Sequence, residues 1–268
     1  MASFAFHKKN GKLIFENFYG YESRNPSTMW CIEQADKIYN WGDFKKLTVW
    51  TGDSEEVPKI EYSYCKSNNY TKLIPDFNFH AWPQVGINDY ETFVKDIDET
   101  GLNNYEINKV GWIGNINAGI IRKKVAEIAN KYPNYFDFIS MNWKQSGETK
   151  LNSDKYISTP DLVKKYSILI DIEGRGYSGR LKHLLWSHRP LLFVDRPYKE
   201  YFFIHLKEWV HYIPVKRDLS DLIEKTEWCL NNYDKALVIA ENAYQFSKTY
   251  LTRNACYEKW NDIINNIE

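Results

Sequence analysis

The run Tyr166-Ser-Ile-Leu-Ile-Asp171 is almost unbroken in apolar character and leads straight into the glycine-rich stretch Gly174-Arg-Gly-Tyr-Ser-Gly179. A strand with one wet face alternates apolar and polar residues. A run without alternation needs cover on both faces, the condition of a strand inside a parallel sheet. The unit recurs upstream. Lys109-Val-Gly-Trp-Ile-Gly114 reads as a strand ending in glycine. Ile121, Val125, Ile128 and Ala129 then recur at helical spacing, with Arg122, Lys123, Lys124 and Glu127 off that face, and Tyr135–Ser140 resumes as strand. Downstream, a helix is expected from the glycine turn to about Ser187, followed by strands at Pro190–Val194 and Tyr212–Val215. Strand–helix–strand series of this kind build a parallel sheet, so the fold class is α/β.

The first part of the chain is less regular. Lys46–Thr51 reads as a buried strand and Gly52-Asp53-Ser54 as a turn, with Val57 and Pro58 soon after. Residues 66–91 are rich in Asn, Pro and aromatics and read as irregular; Tyr90–Ile97 is a short helix. Asp218 is placed as N-cap of a helix carrying Leu219, Leu222 and Ile223, and two further helices cover about 234–250 and 254–267. The loop-rich stretch 66–105 divides the two parts, which fits two Rossmann-like halves with a cleft between them.

Composition removes several function classes. With 35 Lys+Arg against 35 Asp+Glu, the chain lacks the cationic excess of a bulk nucleic-acid binder. Hydrophobic residues at 43% and charged residues at 26% describe a globular chain rather than a disordered one. Cys31, Cys65, Cys229 and Cys256 form no CxxC pair, so neither a zinc nor a redox site is indicated, and free thiols in a reducing cytosol are expected. The N-terminal residues contain no apolar signal core, and no run is long enough to span a membrane, which sets an intracellular expectation. The aromatic share of 16% suits a protein that stacks rings on sugars and equally suits an aromatic core.

The chemistry-bearing candidates cluster at predicted strand ends. Gly174, Gly176 and Gly179 have GxGxxG spacing between a strand and a helix, where backbone N–H groups and the helix dipole favour an anion. Ser178 adds a hydroxyl and Arg180 a guanidinium able to grip phosphate bidentately. Asp195, about twenty residues on, leaves a dinucleotide (NAD) reading open, and an ordinary turn without ligand is open too. Asp171 and Glu173 have the spacing of a divalent-metal pair in a sugar transferase; Asp96 and Asp98 read as a solvated helix face. Asp53, on a turn after a buried strand, is placed for general-base work or simply for turn formation. His80, in Phe77-Asn-Phe-His-Ala-Trp82, is a candidate for an acceptor pocket, while His183, His188, His205 and His211 read as structural. No GxSxG or GxxxxGK[ST] motif occurs.

Asp171-Ile-Glu-Gly-Arg-Gly-Tyr-Ser-Gly-Arg-Leu-Lys182, Arg196-Pro-Tyr-Lys-Glu-Tyr-Phe202 and Trp209-Val-His-Tyr-Ile-Pro-Val-Lys216 with Asp218-Leu-Ser220 resemble glycosyltransferase family 90. The wording of 171–202 is closer to its short lipopolysaccharide-type or viral members than to the protein O-glucosyltransferases of the secretory pathway. Thr51-Gly-Asp53-Ser-Glu-Glu-Val-Pro58 resembles the family's catalytic-base motif, and Trp112-Ile-Gly114 with Arg122 resembles a motif opening its second domain, with Ile113 where Arg is usual. The resemblance implies a GT-B fold, two Rossmann-like domains facing a central cleft: 1–105 on the acceptor side, 106–249 binding the nucleotide sugar, and the last helix, 250–268, rejoining the first. It implies an inverting transfer of xylose or glucose from a UDP-sugar to a glycan or glycoconjugate hydroxyl, without metal or other cofactor. Asp53 is then the base. Gly114, Arg122, Asp171, Glu173, Gly174, Ser178, Gly179 and Arg180 are donor-site residues, and Phe77, His80 and Trp82 acceptor-site residues. The expected location is cytoplasmic, with peripheral attachment to an acceptor-bearing membrane as an option. A non-catalytic nucleotide or sugar binder of the same fold, kept open by Ile113, and an NAD-dependent oxidoreductase are the alternatives.

Overall fold

A computed structural model describes residues 2–20, 23–54, 60–68, 70–141 and 156–267; the end of the Asp53 motif, Glu55-Glu-Val-Pro58, lies outside the described residues. The chain opens with a hairpin, β1 (Ser3–Lys9) and β2 (Lys12–Tyr19). Its turn is Asn10-Gly11, at φ of 51° and 72°. Such a two-residue turn matches the twist of the flanking strands, and the Asp43 carboxylate accepts both turn N–H groups. Next come α1 (Arg24–Tyr39), β3 (Phe44–Trp50) and the short β4 (Tyr62–Ser63). The sheet order is β2-β1-β3-β4. β1 runs antiparallel to both neighbours, and only β3 and β4 are parallel. This departs from the Rossmann-like first half expected: a two-residue turn can only reverse the chain, whereas a parallel pair needs a crossover.

Between β4 and α2 (Tyr90–Gly101) the helical turns among the described residues are two single 3-10 turns, Phe77–Phe79 and Pro83–Val85. A regular series follows: β5 (Ile107–Gly114), α3 (Ile120–Lys131), β6 (Phe136–Ser140), α4 (Thr159–Lys165) and β7 (Tyr166–Asp171). It continues through α5 (Leu181–Leu184), β8 (Leu191–Val194), β9 (Ile213–Val215), α6 (Leu222–Asn231), α7 (Tyr233–Tyr250) and α8 (Arg253–Asn265). These strands form a parallel sheet ordered β6-β5-β7-β8-β9. The apolar run in β7 is explained by its two covered faces. Leu169 enters the core that includes Phe4 and Trp260, while Ile168 and Ile170 enter a second cluster with Val125 and Leu222. β8 divides likewise, Leu191 and Phe193 against Leu192 and Val194.

Two helices differ from expectation. α5 lasts four residues, because beyond it the N–H groups of Trp186 and Ser187 bond three residues back, to His183 and Leu184, rather than four. Asp218 does not cap α6; its carboxylate accepts the Ser220 N–H, and the helix begins at Leu222. At the end of the chain α8 lies against α1 and the first sheet. Trp260 meets Phe6 edge-on at 6.0 Å, and Trp41 Nε1 donates to Asn261 Oδ1 at 2.9 Å. The four cysteines are buried and free. No described helix is long and apolar enough to cross a membrane.

Candidate active site

A cleft of about 480 Å³ opens where the carboxyl ends of β5 and β7 face the turn after β3. Its size falls in the range of small-molecule sites, and strand carboxyl ends are where parallel sheets bind ligands. On one side, Trp50 Nε1 donates to the Ser54 carbonyl at 2.5 Å and closes the 51–54 turn. Asp53 projects from that turn into the cleft lining, and its Oδ1 is 2.9 Å from Arg24 Nη2. Arg24 opens α1, with Nη1 donating to the Thr51 carbonyl at 3.1 Å.

The glycine turn forms the facing wall. The Tyr177 N–H donates to the Asp53 carbonyl at 3.3 Å, so the two turns touch through their backbones. The glycines were expected to admit a phosphate. In the structure a β-carbon on Gly176 would lie 1.8 Å from the Asp53 carbonyl oxygen, and one on Gly179 would lie 2.9 Å from the Asn78 amide nitrogen. Their missing side chains admit neighbouring protein. The anion-attracting helix dipole expected here shrinks to the single turn of α5. Positive charge at the cleft comes instead from guanidinium groups.

Arg180 lines the cleft and donates through Nη1 to the Ile113 carbonyl at 2.6 Å. Arg122 is half-buried over the Trp112 ring, at 5.4 Å, and donates to the carbonyls of Glu173, Asn115 and Ile172. Burial pushes the Arg122 guanidinium down to about 10, and the charge of Arg180 adds to that. Two desolvated like charges at one wall are relieved by an anion between them. Ile113, standing where the resemblance leads one to expect Arg, is buried in the core, and only its carbonyl serves the site.

Asp171 and Glu173 are both engaged. The Ser178 hydroxyl donates to Asp171 Oδ1 at 2.6 Å, and Arg196 Nη1 donates to Oδ2 at 2.5 Å. Asp171 borders the cleft as a buried anchor of the glycine turn. Glu173 is not in the lining and forms a two-pronged pair with Arg217, at 2.6 and 2.8 Å. Among the described residues, no group of three His, Cys, Asp or Glu is arranged to hold a metal ion. Gly114 and Gly174 line the cleft as expected.

Of the three acceptor candidates only Trp82 lines the cleft. Phe77 is in the core, beneath the Arg24 guanidinium. His80 stacks on Trp30 at 4.2 Å, and its Nδ1 lies 3.1 Å from the Ser27 hydroxyl. Asp195 is exposed, pairs with Lys199 and does not line the cleft. Asp96 is solvated as expected, but Asp98 binds His188 Nε2 at 2.7 Å and accepts from Tyr244. Sequence reasoning missed Arg24, Arg175, Phe93 and His183, all in the cleft lining. Arg175 sits inside the motif already singled out, so its neighbours were the signal. His183 is buried, and that burial, with Lys182 and Arg180 nearby, holds it well below the usual imidazole range.

The cleft thus joins the carboxyl edge of a parallel sheet, the guanidinium groups of Arg122 and Arg180 and the Asp53 carboxylate from the turn after β3. The chain is 29% identical over 162 residues to the uncharacterized protein 035R of Invertebrate iridescent virus 3, covering 55% of this chain and 15% of that protein. It is 37% identical over 105 residues to protein O-glucosyltransferase 2 of Danio rerio, covering 38% of this chain and 21% of that protein. The chain thus spans a small part of the curated relatives it matches. Among solved structures, Anabaena HepE in complex with UDP-glucose is similar at TM-score 0.41 and 10% identity, over 70% of this chain and 47% of that one. The model of glycosyl transferase family 90 matches residues 22–267, and the chain belongs to that family.

Proposed function

We propose that the cleft binds a UDP-sugar and that Asp53 acts as general base in passing the sugar to an acceptor hydroxyl. The observation that carries this reading is the backbone contact between the Asp53 turn and the turn bearing Arg180, which brings a carboxylate and cationic groups to one cleft. The diphosphate lies against Arg122 and Arg180. The acceptor hydroxyl approaches the opposite face of the sugar, near Trp82. Its oxygen bonds to the anomeric carbon as the bond from that carbon to the β-phosphate oxygen breaks. The electron pair leaves with UDP, and the proton passes to Asp53. A single displacement inverts the anomeric configuration.

Arg180 and Arg122 stabilise the departing diphosphate, at roughly 3–4 kcal/mol for each well-placed donor. That supply of positive charge supports a transfer without bound metal. Glucose is favoured as the donor sugar by the protein O-glucosyltransferase relatives, with xylose the second candidate and a glycan the acceptor class. In this reading the two sheets are the facing halves of a GT-B-type enzyme, divided near residue 105. Membership of a glycosyltransferase family leaves the oxidoreductase alternative without support. Asp53→Asn tests the reading. UDP affinity measured by calorimetry stays unchanged, while sugar transfer falls about 10²–10⁴-fold, the usual weight of a general base. Retained transfer removes Asp53 from the role.

A further inference from the structure

We propose that Arg24 is a positioning residue for the transfer, holding the Asp53 carboxylate so that its second oxygen, Oδ2, faces the acceptor hydroxyl. The inference rests on the reading of Asp53 as base.

Asp53 follows Gly52 in a tight turn, and its side chain is 35% exposed. A carboxylate so placed turns about its χ angles unless something fixes it. Arg24 supplies that constraint and is itself well anchored. Its side chain is only 11% exposed. Its guanidinium lies 5.3 Å over the Phe77 ring, Nη1 donates to the Thr51 carbonyl at 3.1 Å, and Nη2 meets Asp53 Oδ1 at 2.9 Å. The planar fork thus bridges the start of the turn to its functional side chain, a geometry that a lysine ammonium cannot reproduce in full. The backbone under Arg24 is fixed as well. Its carbonyl accepts from the Thr28 hydroxyl at 2.9 Å, and Asn25 Oδ1 accepts from the Thr51 hydroxyl at 2.7 Å.

This network explains why the first turns of α1 bury polar side chains. Arg24 and Asn25 bond to the 51–53 turn where an ordinary helix would present apolar side chains, and Thr28 braces Arg24 from behind while it meets the Tyr64 hydroxyl. Arg24 differs from Arg122 and Arg180 in what it holds. Its Nη2 meets the Asp53 carboxylate directly, whereas the hydrogen bonds of Arg122 and Arg180 go to main-chain carbonyls. Arg24 therefore acts through Asp53, and the donor diphosphate belongs to the other two.

The test uses the full chain and UDP-glucose as probe, with water as acceptor and glucose release as readout. Arg24→Gln is expected to lower kcat about 100-fold, the effect of a displacement of about 1 Å at a reacting group. UDP affinity by calorimetry should stay within about threefold. Arg24→Lys, which keeps a charge for Oδ1, should recover part of the loss; it also carries the test if the Gln variant does not fold. The deciding comparison is Asp53→Asn against Asp53→Asn/Arg24→Gln. A positioning residue has nothing left to position, so the double variant should be no slower than Asp53→Asn alone. Additive losses, unchanged kcat in Arg24→Gln, or a loss confined to KM each overturn the proposal. Full turnover by Asp53→Asn overturns instead the reading of Asp53 as base.

Discussion

The carbonyl oxygen of Asp53 lies where Gly176 leaves no room for a side chain: a β-carbon built on Gly176 would be 1.8 Å from it. This contact joins the turn after β3 to the turn after β7, and so joins the candidate base to the candidate phosphate site. Gly176→Ala must push the turns apart. Overpacking of this kind costs about 1–3 kcal/mol, and here it falls on the cleft. The expected result is a lower denaturation midpoint together with lost sugar transfer. Gly42→Ala, at a site with nothing within 4 Å of the new carbon, is the control and should change neither.

Arg196 and Asp171 form an ion pair with side chains 0% and 2% exposed, under the glycine turn. Removing one partner of a buried pair leaves an uncompensated charge and costs about 3–5 kcal/mol. Arg196→Met is expected to destabilise the fold by that amount in chemical denaturation. Asp171→Asn/Arg196→Met, which removes both charges, should be distinctly less costly. Equal losses in the single and double variants would show that the pair's charge is not what holds the turn.

Burial pushes the carboxyl of Glu200 up to about 8, against the pull of Lys182, whose Nζ is 3.8 Å from Oε1. Between the ordinary carboxylate range and about 8, the folded protein keeps a proton that the unfolded chain has released. Folding therefore binds protons in that window, and stability falls as pH rises through it. Glu200→Gln should flatten this fall when denaturation midpoints are compared from about pH 5 to about pH 8. An unchanged slope would place the titrating group elsewhere.

The second half of the fold was legible because its physics is periodic. β7 shows an unbroken apolar run because both its faces are covered, and α3 shows a clean apolar stripe because only one of its faces is. The first half was less legible for equally physical reasons. The first turns of α1 bury Arg24, Asn25, Ser27 and Thr28, so only Cys31, Ile32 and Ala35 of its inward face are left to carry an apolar period. The hairpin's one sequence signal is Asn10-Gly11 between two strand-like runs. At the cleft, Asp53, Arg122, Ser178 and Arg180 are legible as a group because each ends or follows a recognisable strand. Phe77, His80 and Glu173 do not line that cleft, and spacing along a loop does not say which side chains turn inward. Arg24 had no local signal, since its partner lies 29 residues further along the chain, in the turn after β3.

The most direct test of the central claim is a calorimetric titration with UDP, with and without EDTA, of the unaltered chain and of Arg180→Ala. UDP binding is expected to survive EDTA. In Arg180→Ala it should weaken by about 1.5–3 kcal/mol, the weight of a charge-assisted contact. Binding abolished by EDTA, affinity untouched by loss of Arg180, or selective binding of NAD in place of UDP would contradict that claim.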